Sequence, residues 1–389
     1  MSKSFIEACA NGNRRIAEML LEKDEEIEVN YTDEQGRTAM HFAAGRGYLD
    51  IIKNLINQGA DKDYEDHKGV TPLYYAIEGR QKNVAQFLLE EGARADIKDK
   101  DENTLYHLVA TSGQKELLQL LLDAGVDINI ANSHSETPLI LAIAKRKRDI
   151  VQSLLENGAD LSITDEDGNS PLLVATSTLN KPIITLLLEN GADLNETNDS
   201  GYTPLFWACL KHNNMLVKYY LEQGADPFIE SNEGLSPVWL ACSNNQKDLV
   251  KAFLDFGVDV NTTKNHHGSF VLESYLKWIT DSFNGTSDDY NQMACDGESL
   301  LHVAAKKGHL SMVKLLTDAG AEIDIVDQAG NSPLHYAAAA GKKDIVKHLL
   351  SLDADYTLVN KAEQTAIDYS NIKGYNEITE MFLAKKIEG

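Results

Sequence analysis

His41, His107, His302 and His335 are the residues whose type best suits acid–base chemistry near neutral pH, since an unperturbed imidazole titrates there. Each sits at the ninth position of a recurring phrase, as in Asp33-Glu34-Gln35-Gly36-Arg37-Thr38-Ala39-Met40-His41. A catalytic residue seldom recurs at one place in many copies of a phrase, so the repetition reads as a fold signature. No nucleophile–base pair or phosphate-cradling glycine loop accompanies these histidines. His266-His267 offers two imidazoles to a metal, but no Cys or His lies at ligand spacing, and a solvated turn accounts for the pair. Lys145-Arg146-Lys147-Arg148 resembles a nuclear-localisation or phosphate-binding patch. It falls between two expected helices, where exposed charge costs little. Asn198, Asn261 and Asn284 open Asn-x-Ser/Thr triplets that read as chance matches in the absence of a secretory signal. No catalytic residue, metal site or cofactor is expected.

The elements that must hold these residues repeat every 33 positions. Gly36, Gly69, Gly168, Gly201 and Gly234 share one register, with Glu102 and Ser135 in the intervening places. Thr71-Pro72-Leu73, Thr137-Pro138-Leu139, Ser170-Pro171-Leu172, Thr203-Pro204-Leu205 and Ser332-Pro333-Leu334 recur with them. Such a period marks a solenoid of stacked repeats, each burying its apolar face against its neighbours. Asp-x-x-Gly is turn chemistry: the carboxylate bonds nearby N–H groups and Gly accepts positive φ. Thr or Ser then offers an N-cap hydroxyl, and Pro opens a helix where no N–H is needed. A second apolar run follows, such as Ile51-Ile52-Lys53-Asn54-Leu55-Ile56, closed by Gly59. Each repeat is therefore a turn, a short helix, a loop and a longer helix. Cys209 and Cys242 occupy the small-residue place held elsewhere by Ala44, Ala110, Ala305 and Ala338. Stacked helices lie about 10 Å apart, beyond disulfide reach, so these thiols are expected buried and reduced. Cys9 fits the same place in the first repeat, and Cys295 is expected in a turn.

This pattern resembles the ankyrin repeat family, whose Thr-Pro-Leu-His-x-Ala phrase is closely matched by Ser332-Pro333-Leu334-His335-Tyr336-Ala337 and Ser299-Leu300-Leu301-His302-Val303-Ala304. The resemblance covers nearly the whole chain. It implies an all-α solenoid of about twelve helix–turn–helix repeats with β-turn fingers and a curved concave groove. A capping repeat is expected at 1–32, seven repeats over 33–263, two over 294–359 and a closing repeat at 360–389. The register breaks at 264–293. Ser269–Ile279 has the pattern of a helix, but Asn284–Tyr290 is poor material for a second one. Either a repeat there has lost its second helix, or a helix-and-loop insertion extends the turn after Asn261.

The resemblance also implies that partners bind the concave face, built from finger tips and the exposed side of each first helix. Carried over place by place, this selects Arg37, Phe42, Arg46, His67, Lys68 and Tyr75, a basic and aromatic set. Further along it selects Glu166, Asp167, Asp199, Tyr202, Trp207, Lys211 and Glu233, acidic with aromatic anchors. Tyr202 and Trp207 are the expected hot spots; the competing reading is that the tenth place of each repeat faces the core. Ankyrin repeats of animal proteins can be hydroxylated at an Asn that follows an acidic–aliphatic pair. Asp127-Ile128-Asn129, with Leu121 upstream, fits, and Asn195 and Asn261 fit less well. The alternative role for that Asn is to bond turn backbone.

The net charge of −24 argues against nucleic-acid binding, which needs Lys and Arg on phosphates. Residues 66–98 and 132–164 are neutral, whereas 165–263 carries −9 and would steer basic groups toward it. No apolar stretch approaches the roughly 20 residues that span a bilayer. Met1-Ser2-Lys3-Ser4-Phe5 runs straight into an amphipathic repeat, so a cytoplasmic setting, or a nuclear one, is expected. The expected function is that of a monomeric, non-catalytic scaffold or adaptor for a protein or peptide partner carrying basic groups. The rival is an inhibitor or host-directed effector that occludes a specific enzyme or receptor through 264–293.

Overall fold

The computed structural model describes residues 1–23, 27–264 and 296–388. Two compact units divide the chain, Met1–Asp199 and Ser200–Gly389. In the first, inner helices α1 (Ser2–Ala10), α3 (Ala39–Arg46), α5 (Pro72–Glu78), α7 (Leu105–Ser112), α9 (Pro138–Ala144) and α11 (Pro171–Ser177) alternate with outer ones. The outer helices are α2 (Arg14–Lys23), α4 (Leu49–Asn57), α6 (Lys82–Glu90), α8 (Lys115–Asp123), α10 (Arg148–Glu156) and α12 (Lys181–Glu189). Inner helices pack on inner ones, α3 on α5 through to α9 on α11. Outer helices pack likewise, α6 on α8 on α10 on α12.

Local chemistry sets each helix start. The hydroxyls of Thr137 and Ser170 accept from the N–H of Ile140 and Leu173 at 3.3 Å, with Pro at the next position. Between the two layers lie side chains such as Leu73, Ile77, Val84 and Leu88, all fully buried. Enclosing each is worth about 1.5–3 kcal/mol, so the stack is held mainly by contact between neighbours.

Ahead of each inner helix the chain turns through a finger. Asp33 Oδ1 accepts from the N–H of Gln35 and Arg37, at 2.9 and 3.0 Å. Ser135 and Glu102 take the glycine place in the same left-handed conformation, φ 58° and 60°. Neighbouring tips are joined, His67 N–H to Gln35 O at 2.9 Å and Ser133 N–H to Asp101 O at 3.0 Å. The finger backbone is thereby satisfied across repeats.

The second unit repeats this plan. Its inner helices are α13 (Pro204–Leu210), α15 (Pro237–Ser243), α17 (Leu300–Lys307), α19 (Pro333–Ala339) and α21 (Ala366–Ile372). Its outer helices are α14 (Asn214–Glu222), α16 (Lys247–Asp255), α18 (Leu310–Asp318), α20 (Lys343–Ser351) and α22 (Asn376–Glu388). The two sides of the register break stack on one another: α15 packs on α17, and α16 on α18. β1 (Thr263–Lys264) pairs antiparallel with β2 (Glu298–Ser299), Thr263 opposite Ser299. In regular fingers the bridge joins residues six apart, Thr32 with Thr38 and Lys98 with Thr104. Asn261 Oδ1 accepts from the N–H of Glu322 at 2.8 Å, the bond that Asn129 makes one period ahead to Asp160 at 2.9 Å. Both alternatives for 264–293, and His266, His267, Asn284 and Cys295 with them, fall almost wholly outside the described residues.

Candidate functional site

The recurring histidines hold repeats together. In all four repeats Nδ1 accepts the N–H of its own N-cap residue, Thr38, Thr104, Ser299 or Ser332, at 2.9–3.1 Å. An acceptor Nδ1 leaves the proton on Nε2. That nitrogen donates to a finger carbonyl of the next repeat: Val70, Glu136, Asn331 or Gln364. Burial pushes all four imidazoles below the usual histidine range, His302 to about 4. They are neutral cross-links with no open face for substrate. Cys9, Cys209 and Cys242 are buried and free. Burial raises all three thiols, Cys9 and Cys242 to about 12, which makes them poor nucleophiles.

On the first unit, Arg37, Phe42 and Tyr75 come together. Arg37 pairs with Asp33 at 2.7 Å and lies 4.5 Å over the Phe42 ring. The Tyr75 hydroxyl donates to Asp66 at 2.9 Å, and its ring meets His41 edge-on. Part of this patch therefore serves the fold. His67 and Lys68 are exposed on the next finger tip, as are Glu166, Asp167 and Asp199 further along. Arg46 lies at the other end of α3, where its guanidinium donates to Ala10 O. Both polar atoms of Asn129 are engaged, Oδ1 by Asp160 N–H and Nδ2 by Gly158 O at 3.3 Å.

On the second unit the expected anchors form one aromatic cluster. Tyr202 stacks on Phe206 at 4.5 Å and 15°, and leans against Trp207 at 5.9 Å. The Lys211 ammonium sits 5.3 Å over the indole. Tyr202 and Trp207 are both half-buried, so the tenth place is neither wholly core nor wholly surface. The Trp207 Nε1–H is buried and meets no hydrogen-bond acceptor among the described residues. Glu233 is exposed on the adjoining finger. Sequence reasoning passed over Phe206, which fills the place that histidine takes elsewhere; an aromatic in a histidine place was the available signal.

A second feature lies at the root of the register break. Lys306 and Glu298 form an ion pair at 3.1 Å with side chains 8% and 6% exposed. Burial raises the Glu298 carboxyl above its usual range, against the pull of Lys306. Lys306 also lies over Tyr336, whose hydroxyl donates to the buried Asp327 at 2.7 Å. Lys264 takes the place that Asp, Asn or Ser holds in the other described fingers, and burial lowers its ammonium.

Stacked helix pairs with linked fingers define a repeat solenoid. The chain belongs to the ankyrin repeat family. The description "Ankyrin repeats (3 copies)" matches residues 5–101, 86–165, 149–227, 272–360 and 301–388, and a single ankyrin repeat matches 233–262. Among solved structures it is similar to the ankyrin repeat domain of Bcl-3, described as a unique member of the IkappaB protein family. Identity is 29% with a TM-score of 0.52, over 56% of this chain and 100% of that one. No curated protein matches. Ankyrin repeats generally mediate protein–protein interaction and are typically non-catalytic. No described helix is long and apolar enough to cross a membrane.

Proposed function

We propose that this protein is a monomeric, non-catalytic scaffold or adaptor that holds a protein or peptide along its finger tips and the exposed sides of its inner helices. The observation that carries the proposal is the Tyr202–Phe206–Trp207 cluster with Lys211 over the indole. Half-buried aromatic surface of this kind supplies large contact area at low cost in side-chain entropy. Glu233 beside it, and the −9 charge of residues 165–263, favour a partner with basic groups. Membership of a family of interaction repeats supports the same reading. A cytoplasmic or nuclear setting suits three buried, reduced thiols.

The test is affinity capture from cell extract, followed by Tyr202→Ala with Trp207→Ala. Loss of the captured partner is expected, because hot-spot truncations cost about 2 kcal/mol or more each. Trp207→Phe keeps one aromatic ring beneath Lys211 and removes the unsatisfied N–H with the rest of the indole, so it should weaken capture less than Trp207→Ala does. Full capture by the double alanine variant would reject the cluster as the anchor.

A further inference from the structure

The junctions between inner and outer helices carry a charge opposite to that of the chain. In the first unit these are residues 46–49, 79–82, 112–115, 145–148 and 178–181, the junctions that follow α3, α5, α7, α9 and α11. Nine of the twenty residues are Lys or Arg and none is Asp or Glu, whereas the rest of 1–199 holds 35 acids against 11 bases. All nine are exposed except the half-buried Lys147.

Helix stability does not account for this row. α6, α8, α10 and α12 begin on Lys82, Lys115, Arg148 and Lys181, where the positive end of the helix dipole disfavours a cation. Ion pairing does not account for it either. Lys115, Lys145, Lys147 and Arg148 form no ion pair among the described residues. Arg80 and Arg146 stand at left-handed φ of 58° and 56°, a place that Gly47 and Gly113 fill without strain in neighbouring junctions. One guanidinium nitrogen of each donates to the next junction, at Ser112 O and Thr178 O, and both side chains are exposed. The left-handed turn belongs to the fold, since Leu179 takes it at φ 54° in the next junction; what the fold does not require is an exposed guanidinium there twice.

We propose that this edge of the first unit is a track for an extended acidic polypeptide with Asp or Glu at every third residue. Width selects the polypeptide. Exposed Glu78 on one flank and Asp50 and Asp149 on the other border the cations. Glu116 reaches into the row to pair with Lys82 at 2.8 Å, which leaves a narrow strip. A duplex nucleic acid or a bilayer would press its phosphates against those carboxylates. Pitch selects the spacing. Successive repeats lie about 10 Å apart, and three residues of extended or polyproline-type chain span about 9–10 Å. The threefold polyproline period then turns every third side chain to one face, one carboxylate per junction. The fingers lie an inner helix away, about 10–12 Å, which exceeds the Debye length of about 8 Å at physiological salt. Their acids therefore do little to repel such a guest. This track lies at the opposite end of the inner helices from the finger tips.

The test is fluorescence anisotropy of the full chain with a labelled peptide of about six Glu-Pro-Pro triplets. Controls are the same composition with its Glu residues contiguous, duplex DNA, and phosphatidylserine vesicles. Salt-sensitive binding of the triplet peptide is expected, stronger than that of every control. Lys145→Gln, Lys147→Gln and Arg148→Gln together should weaken it about tenfold with the melting temperature unchanged. Lys115→Gln with Lys181→Gln, in other junctions, should weaken it further, whereas Tyr202→Ala with Trp207→Ala should leave it intact. Binding indifferent to both junction variants, or tighter binding of DNA, vesicles or the contiguous peptide, would overturn the proposal.

Discussion

Lowering the pH from about 7.5 to about 5 should destabilise the second unit by about 2 kcal/mol through His302 alone. Its ring is fully enclosed; Nδ1 accepts from Ser299 N–H at 2.9 Å and Nε2 donates to Asn331 O at 2.9 Å. A second proton would set one N–H against another inside a closed space. Burial accordingly depresses the imidazole from 6.5 to about 4. In the unfolded chain the ring takes up its proton below about 6.5, and in the folded chain only below about 4. Stability is therefore flat above neutrality and falls as the pH drops between those values. Linkage puts the full loss at about 3.4 kcal/mol and the loss at pH 5 at about 2 kcal/mol. His335 is depressed in the same direction and adds to the trend, and His41 and His107 act likewise on the first unit. The assay is urea unfolding at both pH values, with His302→Leu as the comparison, since Ile140 and Leu173 fill this place in sibling repeats. The variant should be less stable at neutrality but lose about 2 kcal/mol less on acidification. An NMR titration placing His302 at 6 or above, or an acid loss undiminished in the variant, would refute the reasoning.

Lys306→Ala should destabilise the second unit by about 3–5 kcal/mol by leaving Glu298 charged and buried, and Lys306→Met with Glu298→Gln should recover most of that in thermal melts. Ser135→Gly should raise first-unit stability by up to about 1 kcal/mol in urea titration, because it relieves a left-handed residue outside glycine. Deleting residues 265–294 joins Lys264 to Cys295 and restores the spacing of a regular finger. The shortened chain should keep its helical circular dichroism and its melting temperature, and loss of cooperative melting would contradict the stacking of α15 on α17.

Most of the architecture was legible because a repeat presents the same physical problem many times. The glycine place, the N-cap hydroxyl and the ninth-place histidine each recur for one local reason. The structure adds that this histidine also reaches the finger of the next repeat. What escaped were features that depend on comparing places. Lys306 and Glu298 are eight residues apart and look like ordinary surface charge until the helix start folds one over the other. The basic junctions are scattered one period apart and vanish in a total charge of −24; only the run at Lys145–Arg148 could be noticed by eye. Phe206 hid because its role as the base of the Tyr202 stack required knowing which face of α13 the finger overhangs.

The finger closed by Lys264 has a kinetic consequence. Elsewhere in these stacks each repeat meets a neighbour about one period away, so order can spread from repeat to repeat with short chain searches. Here the bond from Gly297 N–H to Lys264 O closes 33 residues where Gly36 N–H to Asp33 O closes three. The two residues joined are therefore eleven times further apart along the chain, a contact of higher order. It falls on the step that docks α17 against α15. Refolding of the second unit is thereby given a seam: the wave of order started on either side halts at the same junction, and the two halves wait there for a chain end to be found.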